Sequence, residues 1–467
     1  MKKIYLTLLG VFLCNLLFSQ YSIGRTTITF NDPSRTGGFG SGGGAGRQIQ
    51  TEIYYPANSN GIGVPLTSGE FPVIVFGHGF VMAWDAYQNI WEEFVPKGFI
   101  IAFPRTEGGF SPSHNDFAVD LNVVEQRMQL ETTITNSLFY QKIKNTSAIM
   151  GHSMGGGSTV LAGANNLSVK TIIGLAPAET NPSAISAAGN VTVPTLIFSG
   201  SQDGVTPPNN HHLPIYSAIM SDCKAYISIT GGAHCYFANS NFNCDFGEST
   251  ASSGISITRA RQQQITYNYL QPWLDFYLKG DCDAFDDFES LLTISTGITS
   301  QRTCNYQPFT VSGNVSHVVN GGDGSVNLVL TGGASVSYLW SNGATTQNIT
   351  NLNAGVYTVE VSDEFCTRIE SFEVLGDPTM LNSIEDIGIS LFPNPVSELL
   401  YLNFNRGLNS NWLLTIIDLG GKQVYSEVLQ KGITTKTISF SGFSSGFYML
   451  HLFNEDGNII TEKIFVE

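Results

Sequence analysis

Six short apolar runs, each bounded by glycine or proline, set the strongest limit on what this chain can fold into. They lie at residues 73–76, 99–103, 148–150, 171–175, 195–198 and 225–229. A strand that alternates apolar and polar residues keeps one wet face, whereas a strand apolar throughout must be covered on both. Segments 85–95, 116–138 and 255–278 carry helical periodicity. Continuous apolar strands separated by helices predict an α/β domain with a mostly parallel, doubly wound sheet. Two earlier segments, 26–30 and 49–55, alternate and predict half-buried antiparallel strands. The predicted domain covers residues 21–306. Its glycine-rich stretch 37–46 predicts a loop, because phosphate binding needs a strand leading straight into a helix and none is evident there.

The chain is long enough for two or three domains: 467 residues, 42% of them hydrophobic. Only 13% are charged, as is common in exported proteins, and the formal net charge is −16. An acidic chain argues against nucleic acid or an anionic membrane as partner and suits a neutral substrate better. Lys2 and Lys3, the apolar run 4–18 and Ser19-Gln20 predict a secretory signal peptide over residues 1–20. That run is shorter than the roughly 20 residues of a membrane span, so no span is expected. A monomer is expected.

Six of the seven cysteines follow the signal segment, and export makes disulfides plausible. Proximity favours Cys235–Cys244 and Cys282–Cys304, with Cys223 an alternative partner in the first pair. Spacing offers no metal site, and no cofactor is expected.

The chemistry concentrates in Gly151-His152-Ser153-Met154-Gly155. An apolar strand precedes it and a helix start follows. Strand, G-x-S-x-G, helix is the context of the nucleophile elbow of α/β-hydrolases, a tight turn that lifts a serine hydroxyl into a cleft. A serine hydroxyl is a weak nucleophile and needs a base that is oriented by an acid. The chain order in that fold is Ser, acid, His. Asp203 stands just past one apolar strand and His234 just past the next. A triad of Ser153, Asp203 and His234 is therefore expected. The oxyanion donors expected are the N–H groups of Met154 and of Phe80, in Gly77-His78-Gly79-Phe80. His78 could instead support that loop by packing. Four other residues compete for the acid and base roles. His211 and His212 are expected on a solvated helix face, His114 in a structural role, and Asp222 on the wrong side of a strand. His152 is expected to line the substrate cleft.

These motifs resemble the cutinase-like polyester hydrolases, the group that includes the poly(ethylene terephthalate) hydrolases. The shared pieces are Gly77–Phe80, Gly151–Gly157, Leu175-Ala176-Pro177, Asp203 with Leu213-Pro214-Ile215-Tyr216, and Gly231–His234 with Ala238-Asn239-Ser240. The resemblance implies hydrolysis of polyester or cutin-like ester bonds through an acyl-enzyme on Ser153. It implies that Phe80 and Met154 touch the acyl group and that Val205 lines the same subsite. The family usually carries a tryptophan directly after Ala-Pro. This chain has Ala178 there, which predicts a weaker hold on an aromatic acyl ring unless Trp84 or Tyr87 supplies one. A general carboxylesterase, lipase or dienelactone-type hydrolase is the rival within the class. A surface adhesin with an inactive hydrolase domain is the rival outside it.

After residue 305 short alternating runs separated by Gly, Asn and Asp turns predict two small all-β sandwiches. Residues 307–378 resemble the SprB-type immunoglobulin-like repeat through Asp323-Gly324-Ser325, Leu339–Thr346 and Ala354–Val359. That family usually has a cysteine where this chain has Val319, so Cys366 is expected to lack a partner. Residues 386–467 resemble the C-terminal sorting domain of type IX secretion, through Leu391-Phe392-Pro393-Asn394-Pro395-Val396 and Ser445-Gly446-Phe447-Tyr448. That resemblance implies the type IX machinery as a partner and a secreted or cell-surface protein.

Overall fold

The computed structural model describes residues 21–319, 321–332, 335–376, 388–419, 422–454 and 459–467. The expected signal peptide lies outside them. The described chain forms two compact units. The first holds residues up to 310 together with 331–337 and 361–368, and the second holds the rest.

The six apolar runs become β-strands, as expected. The main strands of the first unit are β1 (Ser22–Asp32), β2 (Arg47–Ala57), β3 (Phe71–Gly77), β4 (Ile100–Pro104), β5 (Ile143–His152), β6 (Thr171–Leu175), β7 (Thr195–Gly200), β8 (Cys223–Ile229) and β9 (Ile298–Cys304). They lie side by side in the order β9-β8-β7-β6-β5-β3-β4-β2-β1. Strands β3 to β8 run parallel, while β1, β2 and β9 are antiparallel to their neighbours. Every residue of β3, β4, β6 and β7 is buried, so helices must cover both faces. The helices that matter for the site are α1 (Gln88–Phe94), α2 (His114–Glu131), α3 (Met154–Gly163), α4 (Ala184–Ala188), α5 (His212–Ala218), α6 (Phe242–Ala251), α7 (Arg259–Leu274) and α8 (Cys282–Ile294). Side chains from β2, β3, β5, β6 and β7 pack with α2 and α4 in one continuous core.

A buried ion cluster pins α2 to β2. Both Asp120 carboxylate oxygens accept from Arg47, at 2.8 Å each from Nε and Nη2. Arg35 Nη2 donates to the same carboxylate at 2.6 Å, and so does Thr106 Oγ1. Burial works against the Arg47 charge, but hydrogen bonds to Asp120 and Glu107 outweigh it and raise its pKa.

The three disulfides correct two expectations. Cys223 pairs with Cys304, Cys235 with Cys244 and Cys282 with Cys366. The proposed Cys282–Cys304 link fails because Cys304 ends β9, which pairs antiparallel with β8 and sets Cys304 beside Cys223. Cys366 is not left over. It meets Cys282 at the start of α8, where Phe365 packs on Tyr306 with ring centroids 4.8 Å apart.

The region after residue 305 is all-β, as expected. Residues 310–374 carry two three-stranded sheets, and residues 389–466 a three-stranded and a four-stranded antiparallel sheet. Leu400 and Leu402 from the smaller of these last sheets share a core with Leu414, Ile416, Leu450 and Ile464 from the larger. Among the described residues no helix is long and apolar enough to cross a membrane.

Candidate active site

The polypeptide reverses sharply between β5 and α3, and Ser153 sits at the bend with φ 55° and ψ −119°. A non-glycine residue holds that conformation only where its surroundings enforce it. Here they do. Ser153 N–H donates to Leu175 O at 2.9 Å, and Ser153 O accepts from Gly157 and Ala178 N–H. The flanking glycines are forced by contact. A Cβ on Gly155 would stand 2.1 Å from Gly77 O, and one on Gly151 would stand 2.3 Å from Gly155 O. Only glycine lets α3 start against the end of β3.

Asp203 and His234 follow β7 and β8, which are parallel neighbours, so their loops leave the same edge of the sheet. His234 Nδ1 donates to Asp203 Oδ2 at 2.7 Å. Asp203 also accepts from Thr206 N–H at 2.7 Å and from Thr206 Oγ1 at 3.0 Å. Burial pushes its pKa up, but the His234 imidazole and these hydrogen bonds prevail and hold it below the usual carboxylate value. Asp203 is thus fixed as a carboxylate. Among the described residues the Ser153 hydroxyl has no hydrogen-bond partner. The acid–base half of the arrangement is closed, while the serine–base half is open, as is common before substrate binds.

The loop after β3 faces the same place. The N–H groups of Phe80 and Met154 have no protein acceptor among the described residues. Phe80 is half-exposed and Met154 buried. Gly79 N–H donates to Tyr87 Oη at 2.8 Å, which fixes the loop. His78 is buried, with Nε2 2.9 Å from Thr106 O, and burial depresses its pKa. It supports the loop and does not face substrate. Val205 is 37% exposed, and Ala178 is partly exposed.

Three expected placements change. His152 does not line the cleft: it is fully buried, Nε2 donates to His234 O at 3.0 Å, and Nδ1 accepts from Tyr87 Oη at 2.9 Å. Burial holds its pKa well below the ordinary value, so the ring is neutral and steadies the backbone that carries His234. Tyr87 is committed to Gly79 and His152 and offers no ring to substrate. His212 is not on a solvated face but is buried beside Asp203. His211 and His114 accept backbone N–H bonds from Glu179 and Asn181, which are structural duties. Sequence reasoning missed Thr206, Glu248 and Ser252. None carries a motif, and only the fold brings them to the site.

Helix α6 braces both loops. Its Cys244 is disulfide-bonded to Cys235, next to His234. Its buried Glu248 accepts from Cys235 N–H at 2.5 Å and also from the Ser252 hydroxyl. Ser252 Oγ in turn accepts from Gly204 N–H at 2.8 Å, next to Asp203. Replacing Cys235 and Cys244 together with serine is expected to cost about 2–3 kcal/mol of stability, through the regained freedom of the unfolded chain. Calorimetry of the oxidised protein and the double variant checks this, and equal melting temperatures would refute it.

A cleft of about 740 Å³ lies away from this centre. Phe71 and Pro72, at the start of β3, line it with Tyr21, Lys97, Lys144 and Lys279, whereas the Phe80 loop leaves the other end of that strand.

Comparison with known proteins gives the chain's family. The family model described as PET hydrolase-like matches residues 20–257, more than half of the chain. The chain belongs to the PET hydrolase-like family. Among curated relatives of this PET hydrolase-like chain, cutinase est1 of Thermobifida alba is 28% identical over 212 residues, 45% of this chain and 64% of that protein. Cutinase 1 of Thermobifida cellulosilytica is 28% identical over 218 residues, 46% of this chain and 74% of that protein. Bis(hydroxyethyl) terephthalate hydrolase of Streptomyces coelicolor is 24% identical over 229 residues, covering 47% and 62%. The chain thus spans less than two thirds of the length of the first and third of these relatives. A secretion system C-terminal sorting domain matches residues 390–467. The type IX sorting domain expected at this end is present, and it marks the protein for the cell surface or the medium.

Proposed function

We propose that this protein is a secreted serine ester hydrolase that cleaves polyester or cutin-like ester bonds. The observation that carries the reading is the 2.7 Å bond from His234 Nδ1 to Asp203 Oδ2 beside a serine held at positive φ, in a chain of the PET hydrolase-like family. Asp203 holds His234 with Nδ1 protonated, leaving Nε2 free to take the Ser153 proton. Ser153 Oγ attacks the ester carbonyl, and the N–H groups of Phe80 and Met154 receive the developing oxyanion. The alcohol departs with the proton that His234 took up, leaving an acyl group on Ser153. Water, deprotonated by His234, then releases the acid and restores the serine. In this reading residues 1–20 are the signal peptide, 21–306 the catalytic domain, 307–378 a SprB-like module and 386–467 the sorting domain.

The polymer preference rests on exposed rings. Phe242 and Phe246 on α6 are 83% and 63% exposed, with stacked rings whose centroids are 6.2 Å apart. Between them Asn243 Nδ2 donates to Val81 O at 2.9 Å, which joins α6 to the Phe80 loop. Exposed apolar patches of this kind mark binding surfaces. This chain has Ala178 where the family usually carries a ring, and Phe242 and Phe246 are exposed rings that offer aromatic contact instead.

Two measurements test the reading. A fluorophosphonate probe should label Ser153 in the intact protein, and failure to label would favour the adhesin. Replacing both Phe242 and Phe246 with alanine should slow product release from poly(ethylene terephthalate) film about 5- to 10-fold, through lost aromatic contact. The same variant should hydrolyse p-nitrophenyl butyrate as before. An equal loss on both substrates would argue for a general esterase.

A further inference from the structure

His212 Nδ1 lies 2.8 Å from Ser199 Oγ, and Nε2 lies 3.0 Å from Thr206 Oγ1. The direct approach of Nε2 to Asp203 Oδ2 is 3.7 Å, too long for a hydrogen bond. Thr206 has one proton to give. Its oxygen lies 2.9 Å from His234 Nδ1, 3.0 Å from the Asp203 carboxylate, 3.0 Å from His212 Nε2 and 3.4 Å from Ala176 O. His234 Nδ1 carries the hydrogen it gives Asp203 and so is no acceptor, and of the remaining choices the charge-assisted bond to the carboxylate is the strongest. With that proton on Asp203, Thr206 Oγ1 can only accept from His212, so Nε2 carries the hydrogen. His212 Nδ1 must then accept, and Ser199 supplies the proton, its other acceptor, Gly200 O, being 3.4 Å away. Every group in the row is buried and every donor points toward the carboxylate.

We propose that His212 is a positioning residue for the site's acid: Ser199 donates to His212, His212 to Thr206, and Thr206 to Asp203. The proposal rests on the triad reading above. Aligned hydrogen bonds polarise one another, so the row acts on the carboxylate as a unit. It holds the Asp203 carboxylate beneath the His234 ring and spreads part of its negative charge. His212 acts as a dipole and not as a cation, because burial brings its pKa down to about 3. The other ionisable groups around it are His234 on the loop after β8, His152 at the end of β5, His211 just before α5, and Tyr226 on β8, whose hydroxyl lies beside Ser199.

The sign of the pH effect follows. Removing the donor row concentrates charge on Asp203, which favours the protonated form of His234. His234 must be neutral to act as base, so the acid limb of kcat/KM moves to higher pH. In the full-length protein, His212→Leu is expected to lower kcat for p-nitrophenyl butyrate about 10-fold, leave KM within about twofold, and move the acid limb upward by about half a pH unit. His212→Gln, which can keep a donor toward Thr206, should restore most of kcat and return the limb. Thr206→Val cuts the row without touching the ring and should show the same upward shift, whether or not His212→Leu folds. An unmoved acid limb in both Leu and Val variants overturns the proposal. So does equal loss in the Leu and Gln variants accompanied only by a lower melting temperature, which would make the ring packing material. If the wild-type protein fails to label with the fluorophosphonate probe, the triad reading itself falls; a labelled wild type with indifferent variants sinks only the donor row.

Discussion

Ser153→Ala should lower kcat for p-nitrophenyl butyrate about 10⁴-fold or more, with KM little changed. In the proposed mechanism Ser153 supplies the nucleophilic oxygen of the covalent step, and neither the proposed base nor the proposed oxyanion donors can replace it. Residual turnover should come from water held by those groups. Stability should barely move. The side chain makes no hydrogen bond among the described residues, and alanine meets the same positive-φ backbone that Leu175, Gly157 and Ala178 already enforce. Circular dichroism and a melting curve establish that the variant is folded, and steady-state kinetics read the loss. A folded variant with wild-type turnover would end the serine mechanism, whatever the family relationship.

The second large effect concerns stability. Asp120→Ala should cost about 3–5 kcal/mol, read as a lower urea midpoint, because it leaves two arginines without their shared buried partner. Asp120 is completely buried and receives Arg47, Arg35 and Thr106. A loss of that size is a large share of the roughly 5–15 kcal/mol that holds a domain folded. It should also reach the chemistry, since Thr106 O receives His78 Nε2 and His78 braces the loop that carries the proposed oxyanion donor Phe80. A midpoint within error of wild type would show that the cluster contributes nothing net.

The sheet was legible because burial on both faces demands unbroken apolar runs, and β3, β4, β6 and β7 obey that demand. Strand β9 was not legible. It pairs only with β8, at the edge of the sheet, and most of its residues (Ile-Thr-Ser-Gln-Arg-Thr-Cys) are exposed, so no hydrophobic signal marks it. That omission also hid the Cys223–Cys304 pair, which only a β8–β9 ladder brings together. The positions of Ser153, Asp203 and His234 could be read from strand ends and chain order. The burial of His212 could not: Pro-Pro-Asn-Asn-His-His looks wet, and the ring enters the interior only because Ser199 and Thr206 supply partners for both nitrogens. His152 misled for the converse reason, since adjacency to a cleft residue in sequence does not decide which way a ring turns.

The Cys282–Cys366 bond bears on how this protein can be cut. A boundary drawn at the change of composition, near residue 305, would discard Cys366 and leave Cys282 an orphan thiol. It would also strip Phe365 from the ring of Phe276. A shortened enzyme ending there therefore invites mispaired or cross-linked products. Maturation of the hydrolase unit must wait until the chain has been made, and has left the reducing cytoplasm, at least as far as residue 366.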